Sequence, residues 1–249
     1  MNEELTVVCA AWHRQANLEL FYEQHRRSLL KQSVGVRVIY VADGGLQLPN
    51  GDDRVTVINV DRGVSTAQAL MLGLAVTETE YFAALNLDDY YFTDAAAAHL
   101  EQLRTHNLDM VAGDWEIRHR PEAHTDRPCM PLSALRPCPQ WPPSSQPGQR
   151  LGSGDGARAT FGPGPVFRTS ALRGVGGYPR QFGDGTQIRT IIDYVVWDRL
   201  ARSNARIARL PLVVGTYYSN PAGQQEFRAG GNDAVLDEHA QYRQYGALI

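Results

Sequence analysis

The apolar positions of this chain cluster first at strand spacing, then at helix spacing, and the alternation repeats from the N-terminus. Leu5-Thr-Val-Val-Cys-Ala-Ala11 is a continuous apolar run suited to a strand buried on both faces. From Asn17 to Gln32, Leu18, Phe21, Leu29 and Leu30 recur among charged residues, which predicts an amphipathic helix. Val36–Ala42 is a second strand, ended by Asp43-Gly44-Gly45. Arg54–Val60 alternates in the manner of an edge strand. Ser65–Thr77 predicts a helix with Ser65 or Thr66 as N-cap, Tyr81–Leu87 a fourth strand, and Asp94–His106 a helix capped by Asp94 or Thr93. Strands separated by helices of this length imply parallel βαβ units.

The pattern breaks between Pro121 and Gly164, where proline, glycine and serine dominate. A loop of that length in a compact domain is commonly functional or disordered. Gly152-Ser-Gly-Asp-Gly-Ala157 has the letters of a dinucleotide fingerprint. It neither follows a strand nor opens a helix, so that reading is rejected. Trp115 and Trp141 are candidates to stack on a sugar ring, or to pin the loop to the body. Order resumes at Gly164–Arg168, with a short capped turn over Thr169–Gly174. A helix follows over Thr190–Ser203 and a last strand over Ile207–Thr216, and a polar tail is expected from Asn220 onward.

The strand Tyr81–Leu87 stops at two adjacent carboxylates, Asp88 and Asp89. In open α/β sheets, ligands bind beyond the carboxyl ends of the strands. Paired acids at such an edge are expected to lie outside the core and to repel one another unless a cation neutralises them. A hard divalent ion, held by one or two carboxylates plus substrate phosphates, suits the position; a solvated Asp-Asp turn is the plain alternative. In a parallel sheet Asp43 falls at the same edge as Asp88, and that convergence favours a ligand.

Composition narrows the classes. The chain is 43% hydrophobic and 20% charged with net charge −3, which gives no electrostatic reason to expect nucleic acid as a partner. No run of eighteen apolar residues suggests an integral membrane segment, and the acidic start Met1-Asn2-Glu3-Glu4 does not read as a secretory signal. Three cysteines, Cys9, Cys129 and Cys138, suit a reduced compartment, so a cytoplasmic location is expected, with peripheral association at the inner face of the membrane also open. Cys129 and Cys138 lie near His119 and His124, but their spacings match no zinc pattern.

The order of these motifs resembles the inverting nucleotide-sugar glycosyltransferases of family 2, across nearly the whole chain except residues 121–160. Val7-Val-Cys-Ala-Ala-Trp-His-Arg14 stands where the family has a strand and a short donor-binding turn. Val41-Ala-Asp-Gly-Gly45 stands at its acidic nucleoside-contacting turn, and Glu80–Tyr91 at the strand entering its Asp-X-Asp motif. Arg168 with Val175-Gly-Gly-Tyr178 matches the stretch ahead of the acceptor helix. Ile192-Asp193-Tyr194 lies where the family keeps its catalytic carboxylate. The resemblance implies a GT-A fold, Rossmann-like, of three α/β/α layers around a mostly parallel sheet. It implies a single domain: a nucleotide-sugar half over 1–115, the Pro/Gly-rich region over 116–160 and an acceptor-side half over 161–249.

It also implies roles. Ala11, Trp12, Arg14, Asp43, Asp88 and Asp89 would face a nucleoside-diphosphate sugar donor. Asp88, with Asn220, would hold Mn2+ or Mg2+, and Asp193 would be the general base that activates a hydroxyl-bearing acceptor: a saccharide, a lipid-linked saccharide or a small molecule. His13 and Arg14 are candidates for phosphate contact. Gln224, Gln225 and Arg228 are candidates to close over the pyrophosphate. Three positions depart from the family pattern: Asn86 replaces the first acid of the motif, Ile192 replaces the acid that usually precedes the base, and Asn220 stands where some members have histidine. Two rival readings follow. A nucleotidyltransferase would need a Gly-rich phosphate loop, which Ala10-Ala-Trp-His13 lacks. A degenerate GT-A protein would serve as a sugar- or nucleotide-binding or partner subunit, without catalysis. Without the resemblance, Asp193 reads as a helix N-cap and Asp43-Gly44 as a simple turn.

Overall fold

The computed structural model describes residues 3–60, 63–118, 126–131, 163–218 and 232–248. The first half is built as its periodicity dictates. Strands β1 (Leu5–Ala11), β2 (Val36–Ala42), β3 (Val55–Asn59) and β4 (Tyr81–Ala84) lie parallel in the order β3-β2-β1-β4, with β3 at the edge. Successive residues face opposite layers. Leu5, Val7 and Cys9 enter one core, while Val8 enters the other. Val36, Val38 and Tyr40 are likewise separated from Ile39 and Val41.

Helices α1 (Leu18–Leu30) and α3 (Ala95–Thr105) pack on the first face. On the second lie α2 (Thr66–Ala75), α4 (Thr169–Gly174) and α5 (Ile192–Arg202). This is the three-layer α/β/α arrangement expected from the sequence. Helix α2 carries a capping box, in which the Ser65 hydroxyl accepts from Gln68 N and Gln68 Oε1 accepts from Ser65 N. The helix lies so close to β1 that a Cβ at Gly73 would meet a Val8 methyl at 2.4 Å, so only glycine fits there.

The sheet continues beyond the parallel half. Strand β8 (Val166–Arg168) runs antiparallel between β4 and β6 (Met110–Arg118). Strand β9 (Ile207–Tyr218) pairs parallel with β6 and antiparallel with β5 (Tyr90–Tyr91) and β7 (Met130–Pro131).

Four sequence expectations change here. The strand at Tyr81 ends at Ala84 rather than Leu87, because the chain turns at Leu87-Asp88 before pairing again as β5. Residues 110–118, not anticipated as a strand, form the central β6; glycine and two acids within it disguise the apolar run. The polar tail contains a helix, α6 (Asn232–Tyr245). Among the described side chains, its inward contacts come from His239 and Tyr242, which are not aliphatic. Asp94 occupies the N-cap position of α3 but does not cap it. Its carboxylate accepts from Cys129 N at 2.7 Å, and Gln32 Oε1 instead takes the N–H of Ala96 at 2.9 Å. None of the described helices is long and apolar enough to cross a membrane.

Candidate active site

The carboxyl ends of β1, β2 and β4 meet at one edge, and the turn after β1 ties the two acidic loops together. The Asp43 N–H donates to Ala11 O at 3.1 Å, which holds the end of β2 against the end of β1. Asp43 Oδ1 accepts from the His13 backbone N–H at 3.1 Å and lies 2.9 Å from His13 Nδ1. Arg14 Nε donates to His13 Nε2 at 3.2 Å, so the imidazole carries its proton on Nδ1 and gives it to Asp43. Arg14, His13 and Asp43 thus form one chain of hydrogen bonds from the exposed rim to a buried carboxylate. Gly44 makes this possible. Its φ of +62° is the left-handed turn that glycine accepts, and a Cβ there would sit 2.5 Å from His13 Nδ1.

Two residues after His13, the Gln15 side chain lies near enough to Asp88 to favour its charged form. The six residues between β1 and α1 therefore hydrogen-bond to Asp43 and act electrostatically on Asp88. Neither Gln15 nor this bridging role was visible in the sequence, because a lone glutamine in a polar loop carries no pattern.

The acidic pair divides its work. Asp88 is half-buried at the edge, and desolvation raises its pKa above the usual carboxylate range. Asp89 is fully buried, contrary to the expectation that carboxylates here lie outside the core. It is received by groups placed for it: Tyr218 N donates to Oδ1 at 3.2 Å and Asn86 Nδ2 donates to Oδ2 at 3.1 Å. Burial raises the Asp89 pKa strongly, and the adjacent Asp88 charge raises it further. The amide at position 86 thus has a structural use, orienting Asp89. Beneath the pair, Trp115 is buried and stacks on Tyr91 with ring centroids 5.6 Å apart, so it forms the floor and offers no sugar platform. The Tyr91 hydroxyl donates to Gly164 O at 2.5 Å, closing the floor from the far side.

Asp193 comes from the opposite half of the chain. It is exposed in the first turn of α5, whose N-cap is Ile191, so the simple capping role does not apply. It lies near enough for its charge to act on both Asp89 and buried Tyr178, raising the pKa of each. The structure therefore gathers Ala11, Trp12, His13, Arg14, Asp43, Asp88 and Asp89 on neighbouring strand ends and loops and brings Asp193 within electrostatic reach of Asp89. Asn220, Gln224, Gln225 and Arg228 lie outside the described residues, as do Trp141, Cys138, His119 and His124. Among the described residues, no three His, Cys, Asp or Glu side chains converge as a metal cage.

Solved structures share this architecture. TarS of S. aureus (residues 1–349) superposes with a TM-score of 0.59 at 15% identity, over 88% of this chain and 60% of that one. Its complex with UDP gives 0.56 at 16% identity, over 88% and 61%. The mannosyltransferase PcManGT from Pyrobaculum calidifontis, solved with GDP-Man and Mn2+, gives 0.58 at 14%, over 96% and 65%. This chain therefore spans less than two thirds of the length of those proteins, and at such identities the likeness is one of fold. No match was found among curated protein sequences. The model of glycosyl transferase family 2 matches residues 13–175, a span that opens at the His13–Asp43 contact and includes both acidic turns. With a match over well more than half its length, the chain belongs to glycosyl transferase family 2.

Proposed function

We propose that the protein transfers a sugar from a nucleoside-diphosphate donor to an acceptor hydroxyl with inversion at the anomeric carbon. The observation that carries this reading is the assembly of two acidic turns, Asp43 and Asp88-Asp89, after the strands that flank β1, with Asp193 of α5 within electrostatic reach of Asp89. The nucleoside would lie along the edge at Asp43, with Ala11, Trp12 and Arg14 lining its approach.

A divalent cation suits Asp88. Its carboxylate is desolvated beside a second buried acid, which is costly unless positive charge arrives with the ligand. One protein carboxylate plus substrate phosphate oxygens is a donor set that Mg2+ or Mn2+ accepts. When bound, the ion supplies Lewis-acid stabilisation of the negative charge that collects on the leaving diphosphate. Asp89 does not reach outward; it fixes the turn that presents Asp88, through Tyr218 N and Asn86.

Asp193 takes the proton from the acceptor hydroxyl as the oxygen attacks the face opposite the leaving group. Its exposure suits that task, since an incoming hydroxyl can reach it from solvent. The similar folds were solved with uridine or guanosine nucleotides, and these are the donors to test first. The decisive experiment is nucleoside-diphosphate release from UDP- and GDP-sugars with Mn2+, comparing wild type with Asp193→Asn. A base contributes about 10²–10⁴-fold, so the variant should keep donor binding and lose most of kcat. Turnover equal to wild type would exclude Asp193 as base. Donor binding without turnover by the wild-type protein would favour the non-catalytic reading.

A further inference from the structure

Helix α5 begins without a cap of its own. Its N-cap residue is Ile191, which has no side-chain oxygen to receive the backbone N–H groups at a helix start. The segment that leads into it is held instead from α6, nearly fifty residues later in the chain. Glu238 Oε1 accepts from Arg189 N at 2.9 Å. Its Oε2 accepts from Thr190 N at 2.9 Å, from Thr190 Oγ1 at 2.8 Å and from Ile191 N at 3.2 Å. One carboxylate thus grips three consecutive residues of the approach to α5, and the last of them lies two positions before Asp193.

The grip is reinforced along the helix. The Tyr242 hydroxyl donates to Asp198 Oδ2 at 2.7 Å. The Tyr194 ring meets His239 edge-on at 4.4 Å, and Arg199 Nη2 donates to Ala247 O at 2.6 Å. On the opposite side, Ile191, Ile192, Val195 and Val196 are buried in the second core. Helix α5 is therefore fixed on two faces, with Asp193 exposed at the end that Glu238 holds.

We propose that Glu238 is a positioning residue for the reaction: it sets the entry angle of α5 and thereby the place from which Asp193 takes the acceptor proton. The inference rests on the assignment of Asp193 as base. A carboxylate on a short side chain follows its backbone, and an error of about 1 Å in a reacting group can cost about 10²-fold. The donor contacts lie on other elements, at the ends of β1, β2 and β4, so Glu238 should act on kcat and leave the donor KM alone.

The test is a double-mutant cycle of Glu238→Ala and Asp193→Asn, read as nucleoside-diphosphate release from UDP- and GDP-sugars with Mn2+. In the wild-type background, E238A should lower kcat at least tenfold with donor KM within twofold. In the D193N background it should lower kcat no further. E238Q keeps the length of the side chain and one accepting oxygen, and should restore most of the rate. If E238A does not fold, as judged by circular dichroism, the same cycle is run with E238D, which is too short to make all four bonds and should lose about threefold or more. An equal loss in both backgrounds, or no loss, overturns the proposal. A D193N protein with wild-type kcat overturns the base assignment instead, and the two failures are told apart by that single variant.

Discussion

His99 provides a test of how dry the floor of the site is. The residue sits in α3, fully buried, against Tyr91, the ring that Trp115 stacks on. Its Nδ1 lies 2.7 Å from Ala95 O, so Nδ1 carries the proton, and Nε2 has no partner among the described residues. A second proton on Nε2 would create a buried cation with an unpaired donor. Burial accordingly lowers the pKa from 6.5 to about 4. A folded-state pKa below the unfolded value contributes stability that is present above pH 6.5 and is lost as the pH falls toward 4. Between pH 7.5 and 5 the unfolded chain takes up nearly one proton at this site and the folded chain almost none. By linkage that removes about 2 kcal/mol. The perturbation is His99→Leu, which cannot titrate. Urea unfolding of both proteins at pH 7.5, 6 and 5 gives the difference in stability at each pH, and terms common to both proteins, such as the acidic pair, cancel. The variant should gain about 2 kcal/mol relative to wild type on going from pH 7.5 to 5, whatever their offset at pH 7.5. A pH-independent offset would refute a neutral, water-excluded imidazole under the acidic turn.

Two further outcomes test the donor edge. Saturating nucleoside diphosphate with Mn2+, at a hundred times its Kd, should add about 2.7 kcal/mol to wild-type stability, and Asp88→Asn should lose the Mn2+-dependent part of the thermal shift; an undiminished shift would remove Asp88 from the metal site. Gly44→Ala must place a side chain at φ +62° and push the His13 ring away from Asp43. It should cost about 1–2 kcal/mol in urea unfolding and weaken nucleotide binding, and normal binding would show that the His13–Asp43 contact is not part of the donor site.

Much of this was legible before any coordinates because buried parallel strands announce themselves. Leu5–Ala11 and Val36–Ala42 are apolar runs closed by polar turns, and a parallel order places those turns at one edge. What stayed hidden depends on single polar contacts between distant segments. Gln15 acts on the Asp88 charge from a loop with no periodicity. Glu238 holds residues 189–191 from a helix in which histidine and tyrosine, rather than aliphatic residues, make the described inward contacts. The burial of Asp89 was hidden for the same reason: what makes a buried carboxylate tolerable is the Tyr218 N–H, and a backbone donor leaves no mark in a sequence. The resemblance to family 2 supplied what spacing could not, a proposed role for Asp193, which by itself reads as an ordinary helix start.

The Asp89–Tyr218 hydrogen bond has a consequence for how the protein is made. The two residues stand 129 positions apart, so an emerging chain exposes its acidic turn long before the strand that satisfies it exists. Until β9 pairs with β5 and β6, closing the turn would strip water from Asp89 without supplying its main-chain donor, so the half-built sheet is better off leaving that turn open. Distant pairings of this kind close slowly, after local helices and neighbouring strands have formed. The closed geometry of the acidic turn should therefore be among the last features acquired during synthesis.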